Sequence, residues 1–493
     1  MPENIRALIV ILFLASIVFV FAHRYLSDIA DARDMKRRRN AWFVLTLTAF
    51  LAGNFWLYSL LAIAMLLYLN RSEKNPPALF FILLFILPVA TIKIPGGGMI
   101  NYFFDLSHAR IIALFVLLPA FIALSRQRDN LVFGRTLPDK LLMAYLLLSV
   151  ALFLREPSVT NALRNTFYLF MDVFLPYFVL SRSLKNINVM RDALFSLTLV
   201  IMVLALLAIF EFSKHWLLYS YVTNALGLEG GKTEYLAREG VLRAIVTTGQ
   251  PIALGYLMVI GIGIYLYLQR SIRHKMVRIL GHALLAGGLL SPLSRGPWVG
   301  AVFLLFVFIA TGHSPARRLM GMAVAAVLSI AILATLPGGE RILNLLPFIG
   351  TTEKENVDYR ERLINNSMIV IQRNPWFGSI DYLETPEMEA MRQGQGIIDI
   401  VNSYIQITLW AGIAGLSLFA GFFAMVLRGI YKAMRSIGDR ESEEYLLGRA
   451  LLSTLLAILL MIFTVSSITI IPIVYWSVAG VGVAYVQIIR KMG

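Results

Sequence analysis

Apolar segments follow one another along almost the whole chain, with short polar connections between them. A hydrocarbon core of about 30 Å is crossed by roughly 20 apolar residues in a helix, and many of the segments approach that length. The pattern therefore predicts an all-α polytopic membrane protein with about 14 transmembrane helices, within a range of 13 to 15. The predicted spans lie at approximately residues 5–22, 41–53, 54–69, 77–93, 111–125, 141–154, 165–180, 192–211, 251–269, 279–293, 297–312, 319–336, 403–427, 450–466 and 469–488.

Residues 41–69 leave the number of crossings open. The two apolar segments within them are short for two crossings and long for one. Gly53-Asn54 between the segments favours a tight or re-entrant hairpin.

Every second connection is rich in Lys and Arg, and these connections hold most of the 44 basic residues. Positive charge stays on the cytoplasmic side during membrane insertion. The alternation predicts that the basic cluster Lys36–Arg39 and the C-terminus are cytoplasmic, and that the N-terminus lies outside. If residues 41–69 form a single helix, the N-terminus moves inside and the basic cluster violates the rule.

One polar segment, residues 337–402, is much longer than the other connections and falls on the outer side. It divides a single integral membrane domain into three parts. Residues 1–336 contain transmembrane helices 1–12 with short loops, residues 337–402 form the large outer loop, and residues 403–493 contain the C-terminal transmembrane helices. We expect this loop to be partly helical.

Composition agrees with a membrane protein, because hydrophobic residues make up 58% of the chain and charged residues 15%. The net charge of +15 is explained by the cytoplasmic connections, which argues against nucleic-acid binding. The absence of cysteine excludes disulfides, cysteine-ligated metals and cysteine nucleophiles. The first apolar segment is followed by a basic cluster, which predicts a retained anchor rather than a cleaved signal peptide.

The first candidate site is Ser294-Arg295-Gly296-Pro297-Trp298, between two apolar segments at the predicted outer surface. A charge this close to hydrocarbon is costly and often functional. Free backbone N–H groups beside a guanidinium suit a phosphate. The alternative is that Arg295 extends to lipid headgroups.

The second candidate lies in the outer loop, where a helix over residues 359–373 is predicted. Asp358 and Glu361 favour a capping box at its start, and Pro375 favours its end. Arg360 and Arg362 fall on different faces, and Arg360 is predicted on the apolar face toward the membrane domain. The alternative is a structural ion pair between Arg360 and an acidic residue of the same loop.

The third candidate is the segment from Asp399 to Gln406, where the chain re-enters the membrane. Asp399 and Asn402 lie at the membrane boundary, and helix capping by either is the alternative to a functional role. A fourth, weaker candidate is Arg243, shortly before Gly249-Gln250-Pro251 at the outer start of another span.

Three of these elements, in this order and spacing, resemble the bacterial O-antigen ligase / O-antigen polymerase (Wzy-type) superfamily. They are Ser294-Arg295-Gly296-Pro297-Trp298, Arg360 with Asn374-Pro375-Trp376-Phe377-Gly378, and Asn402-Ser403-Tyr404-Ile405-Gln406 with Ala411-Gly412 and Gly415-Leu416. Arg243 with Gly249-Gln250-Pro251 resembles a fourth, looser element. The resemblance covers roughly residues 240–430.

The resemblance implies a GT-C-like helical membrane fold in the bacterial inner membrane, with the active site facing the periplasm. It implies glycosyl transfer from an undecaprenyl-pyrophosphate-linked oligosaccharide, with no cofactor and no metal. Arg295 and Arg360 take the places of the two family arginines at the pyrophosphate. Membrane lipids are expected partners, a polysaccharide chain-length regulator is a candidate partner, and nucleic acid is not expected.

The chain departs from many ligases at Val401, where they carry a histidine thought to activate the acceptor hydroxyl. Asp399 is the substitute base that the sequence offers, and His215 is the second choice. The departure favours a polymerase of O-antigen, capsule or exopolysaccharide repeat units over a ligase. Arg295, Arg360 and Asp399 are thus the expected catalytic residues, and the expected substrate-binding residues are Arg243, Arg362, Asn402, Tyr404, Gln250 and His215.

Three other functions remain open at this stage. An O-antigen ligase would move glycan from the carrier to lipid A core or another acceptor. A flippase or transporter of lipid-linked oligosaccharide would require functional charges near the bilayer midplane. The mid-membrane segments contain almost none, and the clearest polar exceptions are Glu211, near a helix end, and His282. The third open function is that of a scaffold or receptor without catalytic activity.

Overall fold

The structure is a computed structural model that describes residues 2–25, 29, 31–98, 100–127, 131–229, 236–238, 240–335, 354–393, 396–468 and 470–492. The described part is mostly helical, in agreement with the predicted all-α polytopic membrane protein. The predicted division at residues 336 and 402 stays a prediction, and much of the first half of the long loop lies outside the described residues.

The helices of the described part are numbered in chain order. They are α1 (Glu3–Tyr25), α2 (Ala32–Leu51), α3 (Phe55–Asn70), α4 (Pro76–Leu83), α5 (His108–Ile112), α6 (Leu118–Arg126), α7 (Leu137–Phe153), α8 (Val159–Leu169), α9 (Leu175–Ser183), α10 (Ile187–Lys214), α11 (Ser220–Ala225), α12 (Pro251–Leu268), α13 (Lys275–Leu290), α14 (Arg295–Ala310), α15 (Pro315–Thr335), α16 (Lys354–Arg373), α17 (Pro386–Glu389), α18 (Ser403–Arg435), α19 (Glu443–Met461) and α20 (Ile471–Met492). Short π-helical turns, Ala113–Leu117 and Phe170–Phe174, join α5 to α6 and α8 to α9. Single 3₁₀ turns lie at Gln269–Ser271 and Tyr382–Glu384.

Seven helical spans among the described residues are long and apolar enough to cross a membrane. They are Glu3–Tyr25, His108–Arg126, Ile187–Lys214, Pro251–Ser271, Ser403–Arg435, Glu443–Met461 and Ile471–Met492. Phe55–Asn70 and Arg295–Ala310 are apolar but shorter. The chain is therefore a multi-pass membrane protein, while the total of about 14 crossings and the GT-C-like architecture stay predictions.

Residues 41–69 form two helices rather than one. α2 ends at Leu51, Gly53 adopts φ +68°, and the Asn54 side chain caps α3 by accepting the backbone N–H of Leu57 at 2.8 Å. This is the hairpin that Gly53-Asn54 predicted.

The predicted continuous span at 77–93 is wrong. α4 stops at Leu83, and the chain continues through turns to Pro88 before entering a strand at Thr91. The side chains from Leu83 to Leu87 are buried against the rest of the protein. Non-helical backbone at membrane depth is tolerated where protein rather than lipid surrounds it. A count of apolar residues cannot show whether a segment faces protein or lipid.

The structure also contains two small antiparallel β-hairpins, which the all-α prediction did not include. β1 (Thr91–Pro95) pairs with β2 (Tyr102–Ser107), and β3 (Ala237–Arg238) pairs with β4 (Val241–Leu242). In the first hairpin Thr91 lies opposite Ser107. Thr91 also bridges to Glu229, so the hairpin is tied to the connection after α11.

The core is a bundle in which α10, α12 and α20 are buried most completely. α20 packs against α9, and a β-carbon added at Gly480 would lie only 2.9 Å from the Tyr177 carbonyl oxygen. α12 packs against the start of α14, where a β-carbon on Gly255 would lie 2.7 Å from the Pro297 ring. Small residues permit these close helix approaches.

α18 is broken one third of the way along its length. Gly412 has φ +66° and ψ −170°, outside the helical range. The N–H groups freed by the break are satisfied by the outer loop: Ile413 donates to the Pro375 carbonyl at 2.7 Å, and Ala414 donates to the Trp376 carbonyl at 3.1 Å. The turn after α16 thus docks on the break through backbone hydrogen bonds.

The docked turn is held from two further directions. Ser379 N–H donates to the Leu409 carbonyl at 2.9 Å. Arg155, just beyond α7, donates to the Gly378 carbonyl at 3.0 Å and to the Trp410 carbonyl at 3.1 Å. The loop and the membrane domain therefore share one rigid junction.

We expect Gly412→Ala to weaken this junction. The added β-carbon would occupy a left-handed conformation and overlap the Trp376 carbonyl group, which should destabilise the protein by about 2 kcal/mol or more. Thermal unfolding of the purified protein in detergent measures the effect. Gly421→Ala on the same helix is the control, because its β-carbon would meet only Leu141 at an ordinary 3.8 Å. Equal melting temperatures for the two variants would contradict the junction.

Candidate active site

The candidate site begins at the break between α13 and α14. Leu293 adopts φ +47°, and Arg295 is the first residue of α14. Ser294 occupies the N-cap position, but its side chain makes no capping hydrogen bond. The first-turn N–H groups of an uncapped helix start carry partial positive charge, so this end of α14 favours an anion even before the half-buried Arg295 is considered.

Two further arginines lie against the same break. Arg243 Nε donates to the Pro292 carbonyl at 3.1 Å, and its Nη2 donates to Ser294 Oγ at 3.4 Å. Arg238 donates to the Leu293 carbonyl. Arg243 therefore lies against the break that immediately precedes Arg295, and the structure adds Arg238, which the sequence analysis missed. In the sequence Arg238 lies only five residues before Arg243, but this spacing alone does not show that both side chains reach the same place. The β3–β4 hairpin brings both arginines to the α13–α14 break.

The turn that carries Arg243 rests on a buried carboxylate. Glu211, near the end of α10, is fully buried. Its Oε2 accepts the backbone N–H groups of Ile245 at 3.1 Å and Val246 at 3.0 Å, and its Oε1 accepts that of Leu218 at 3.0 Å. Val246 has φ +46°, which is unfavourable for a β-branched residue, so the turn needs such support.

His215 lies beside this turn. It ends α10 in a left-handed conformation with φ +52°, and its Nδ1 accepts the Leu242 N–H at 3.4 Å. The structure therefore places His215 next to Arg243. Gln250 is exposed at the N-cap of α12, where its carbonyl oxygen accepts the Thr248 hydroxyl at 3.0 Å.

The outer-loop helix differs from its prediction in two respects. α16 begins at Lys354, so Asp358 lies inside the helix and is not its cap. Its end at Arg373, before Pro375, is as predicted. Arg360 is exposed rather than buried, and Arg362 is exposed as predicted. Leu363 and Ser367, which share the face predicted for Arg360, are buried, so the helix does pack through that face. Arg360 stays exposed because it lies nearer the start of the helix than these packed residues.

That buried face packs on the end of the loop and on α18. Leu363 and Val370 are buried in a small apolar cluster with Met388, Met391, Ile400 and Leu409. Arg373, at the end of α16, forms a bidentate ion pair with Glu387, and this pair lowers the pKa of the Glu387 carboxyl below its usual value. Arg360 therefore lies at the edge of a packed helix rather than on a free loop.

Asp399 joins this helix to the membrane domain. The Tyr359 hydroxyl donates to the Asp399 carbonyl at 3.0 Å, which brings Asp399 close to the residue before Arg360. The Asp399 carboxylate is exposed, and its Oδ1 accepts the Ser466 hydroxyl at 2.7 Å. An exposed carboxylate with a free oxygen edge can accept a proton.

Asn402 has the capping role that was the alternative to a functional one. Its side-chain oxygen accepts the N–H groups of Tyr404 at 2.9 Å and Ile405 at 3.1 Å, and so caps α18. The Tyr404 hydroxyl donates to the Leu459 carbonyl at 2.8 Å. Both side chains therefore make structural contacts in this structure.

The segment 462–468, which connects α19 to α20, links the two halves of the site. On one side Ser466 holds Asp399, and Ser467 N–H donates to the Gln406 side chain at 3.1 Å. On the other side a β-carbon on Gly296 would lie 2.8 Å from Thr464 Oγ1, so the start of α14 touches the same connector. The sequence analysis placed residues 462–466 inside the predicted span 450–466, whereas the helix ends at Met461, and so it missed the role of the connector.

One comparison with known proteins matches the part of the chain that contains most of these residues. Residues 280–420 match the family model described as O-antigen ligase. A search of the curated proteins finds no match. The matched region runs from within α13 to the part of α18 beyond its break, and so contains Arg295, Arg360 and Asp399. This family implies a glycosyltransferase-like enzyme. The match thus confirms, for residues 280–420 of this multi-pass membrane protein, the resemblance to an O-antigen ligase/polymerase-type family.

Proposed function

We propose that the protein polymerises polyprenyl-pyrophosphate-linked oligosaccharide repeat units of an O-antigen, capsule or exopolysaccharide at the periplasmic face of the bacterial inner membrane. The observation that supports this most is the convergence on the 462–468 connector. The cationic start of α14 lies on one side of it, and Asp399 with the Arg360 helix lies on the other. An anion site beside a carboxylate is what transfer from a diphosphate donor requires.

In this proposal the donor pyrophosphate binds at the start of α14. Arg295 and Arg360 neutralise the charge that grows on the leaving group, with Arg243 assisting from the neighbouring turn. Guanidinium groups match phosphate oxygens in bidentate geometry and are always charged, so they act as a divalent metal would. Their effect is largest in the transition state, where the bridging oxygen becomes an anion.

The transfer itself is a single displacement with inversion at the anomeric carbon. A hydroxyl of the acceptor glycan attacks that carbon, the bond to the pyrophosphate oxygen breaks, and polyprenyl pyrophosphate leaves. Asp399 accepts the proton of the attacking hydroxyl. Ser466 orients this carboxylate through its 2.7 Å hydrogen bond and leaves the other oxygen available.

A ligase is the second candidate, because the matching family model is described by that activity. It would use the same donor and the same arginines, and would differ only in the acceptor. Val401 stands where many ligases have a histidine, which favours the polymerase. The two are separated by their products, since repeated transfer gives a ladder and single transfer to an outside acceptor does not.

Arg295→Ala and Arg360→Ala should each lower kcat by roughly a hundredfold to a thousandfold, because each removes fixed positive charge from the leaving group. The assay is transfer by purified protein from its native polyprenyl-pyrophosphate oligosaccharide with EDTA present. Arg392→Ala is the control, since Arg392 is an exposed residue of the same loop that pairs with Glu389. Movement of the intact donor across vesicle membranes without glycan transfer would contradict the proposed enzyme and indicate a flippase.

Asp399→Asn should reduce kcat by at least about a hundredfold while the KM for the donor stays within a factor of about three, because the amide keeps the shape but cannot accept the proton. Steady-state kinetics on the same donor measure both constants. Full activity of this variant would remove Asp399 as the base, and His215→Gln would then be examined as the alternative.

Glu211→Gln should raise the KM for the donor roughly tenfold with a smaller change in kcat. The amide has only one acceptor oxygen, so it loses either the Leu218 bond or both bonds to the Arg243 turn, and its NH2 group then faces N–H donors. Thr198→Val, a buried isosteric change on the same helix, is the control. Adding Val246→Gly should recover part of the loss, since glycine adopts φ +46° without strain. A wild-type KM in Glu211→Gln would show that the carboxylate does not position Arg243.

A further inference from the structure

A groove separates α2 and α3 at the end where α2 begins and α3 finishes. The hairpin turn at Gly53 makes the two helices antiparallel, so the N-terminal turns of α2 face the C-terminal turns of α3. The groove has a volume of about 380 Å³. It lies outside the family-matched region 280–420 and is not used by the proposed reaction.

One end of the groove is basic. Arg33, Lys36 and Arg37 line it at the i, i+3 and i+4 positions of α2, which place them on one face. Arg37 pairs with Asp34 at 3.0 Å and with Glu73 at 3.3 Å. Arg33 and Lys36 are exposed and form no salt bridge within the described residues. This end therefore carries excess positive charge.

The carboxylates beneath this end are already engaged by another arginine. Arg38 is fully buried and binds Glu73 at 2.7 Å and Asp192, on α10, at 2.8 Å. Asn75 also donates to Asp192 at 2.8 Å. Because this network ties α2 to the core, the basic face is fixed in position, and Glu73 and Asp192 are engaged by Arg38 rather than by Arg33 or Lys36. The exposed carboxylate of Asp31 interacts electrostatically with both Arg33 and Lys74.

The other end of the groove is apolar and faces outward. Val44 of α2 and Met65 of α3 line it, and Val44 is 46% exposed. From Arg33 to Val44 the helix rises about 16 Å. The groove therefore runs about 16 Å from a basic end to an apolar end. This arrangement fits the headgroup and the first part of an acyl chain of a phospholipid better than a soluble anion.

We propose that the groove binds an anionic phospholipid, with its phosphate between Arg33, Lys36 and Arg37 and one acyl chain along Val44 and Met65. The basic cluster is predicted to be cytoplasmic, and the cytoplasmic leaflet is rich in anionic lipids. A zwitterionic lipid has the same chains but no net charge to satisfy the excess positive charge. The bound lipid would seal the hairpin of α2 and α3 against the bilayer.

The test is the melting temperature of the purified full-length protein in detergent, with added phosphatidylglycerol or phosphatidylcholine of identical acyl chains. Phosphatidylglycerol should raise it in a concentration-dependent way, and phosphatidylcholine should not. The double variant Arg33→Gln/Lys36→Gln should weaken the apparent affinity roughly thirtyfold, since each basic residue near an anionic lipid surface contributes roughly fivefold.

The matched control is Arg317→Gln/Arg318→Gln, which removes the same charge from exposed positions at the start of α15. This control should keep the response to phosphatidylglycerol. Arg33 and Lys36 are exposed, so their variant should fold like the wild type, and its melting temperature without added lipid verifies this.

A second variant, Val44→Trp, fills the apolar end and leaves the charges. In this variant long-chain phosphatidylglycerol should no longer raise the melting temperature. A short-chain analogue, which needs only the basic end, should still raise it slightly. Equal responses to both lipid headgroups, or an unchanged response in Arg33→Gln/Lys36→Gln, would overturn the proposal. Tighter binding of polyprenyl phosphate than of phosphatidylglycerol would also overturn it, and would assign the groove to the lipid carrier instead.

Discussion

The backbone of a membrane protein must satisfy its hydrogen bonds wherever a helix breaks, and the candidate site depends on this constraint. Three breaks meet here: the uncapped start of α14, the capped start of α18 and the connector between α19 and α20. The connector hydrogen-bonds to Asp399 and Gln406 through Ser466 and Ser467, and its Thr464 lies close to Gly296 on the other side. Polar backbone that would be costly in lipid thereby lines the proposed reaction site.

The same constraint explains how a loop outside the membrane domain can be held with precision. The turn after α16 supplies the carbonyl groups that the break at Gly412 needs, and Arg155 joins both from a third element. Displacing the turn would leave N–H groups of α18 without partners. Arg360 is therefore carried on a helix whose two ends are anchored, at Arg373 through the turn and at Tyr359 through Asp399.

Charge is distributed unequally over the molecule, and each part of that distribution has a different physical basis. Around the α13–α14 break, Arg238 and Arg243 donate to carbonyl oxygens, which fixes their positions beside the start of α14. At the basic end of α2, buried carboxylates are held by Arg38, so exposed basic groups keep their charge. Both arrangements leave positive potential toward a phosphate, one at the proposed donor site and one at the lipid groove.

Hydrophobic patterning by itself determined the membrane class, the hairpin at Gly53-Asn54 and the approximate helix positions, because each is set by local composition over one segment. It also singled out Arg243, Arg295, Arg360 and Asp399 as charges that topology does not explain. Only the tertiary structure decided that α4 stops short, that Asn402 is a cap, that Arg360 is exposed, and that Glu211 and the 462–468 connector support the site. These depend on contacts between segments far apart in the chain, and no periodicity within one segment records which distant partner satisfies a buried polar group.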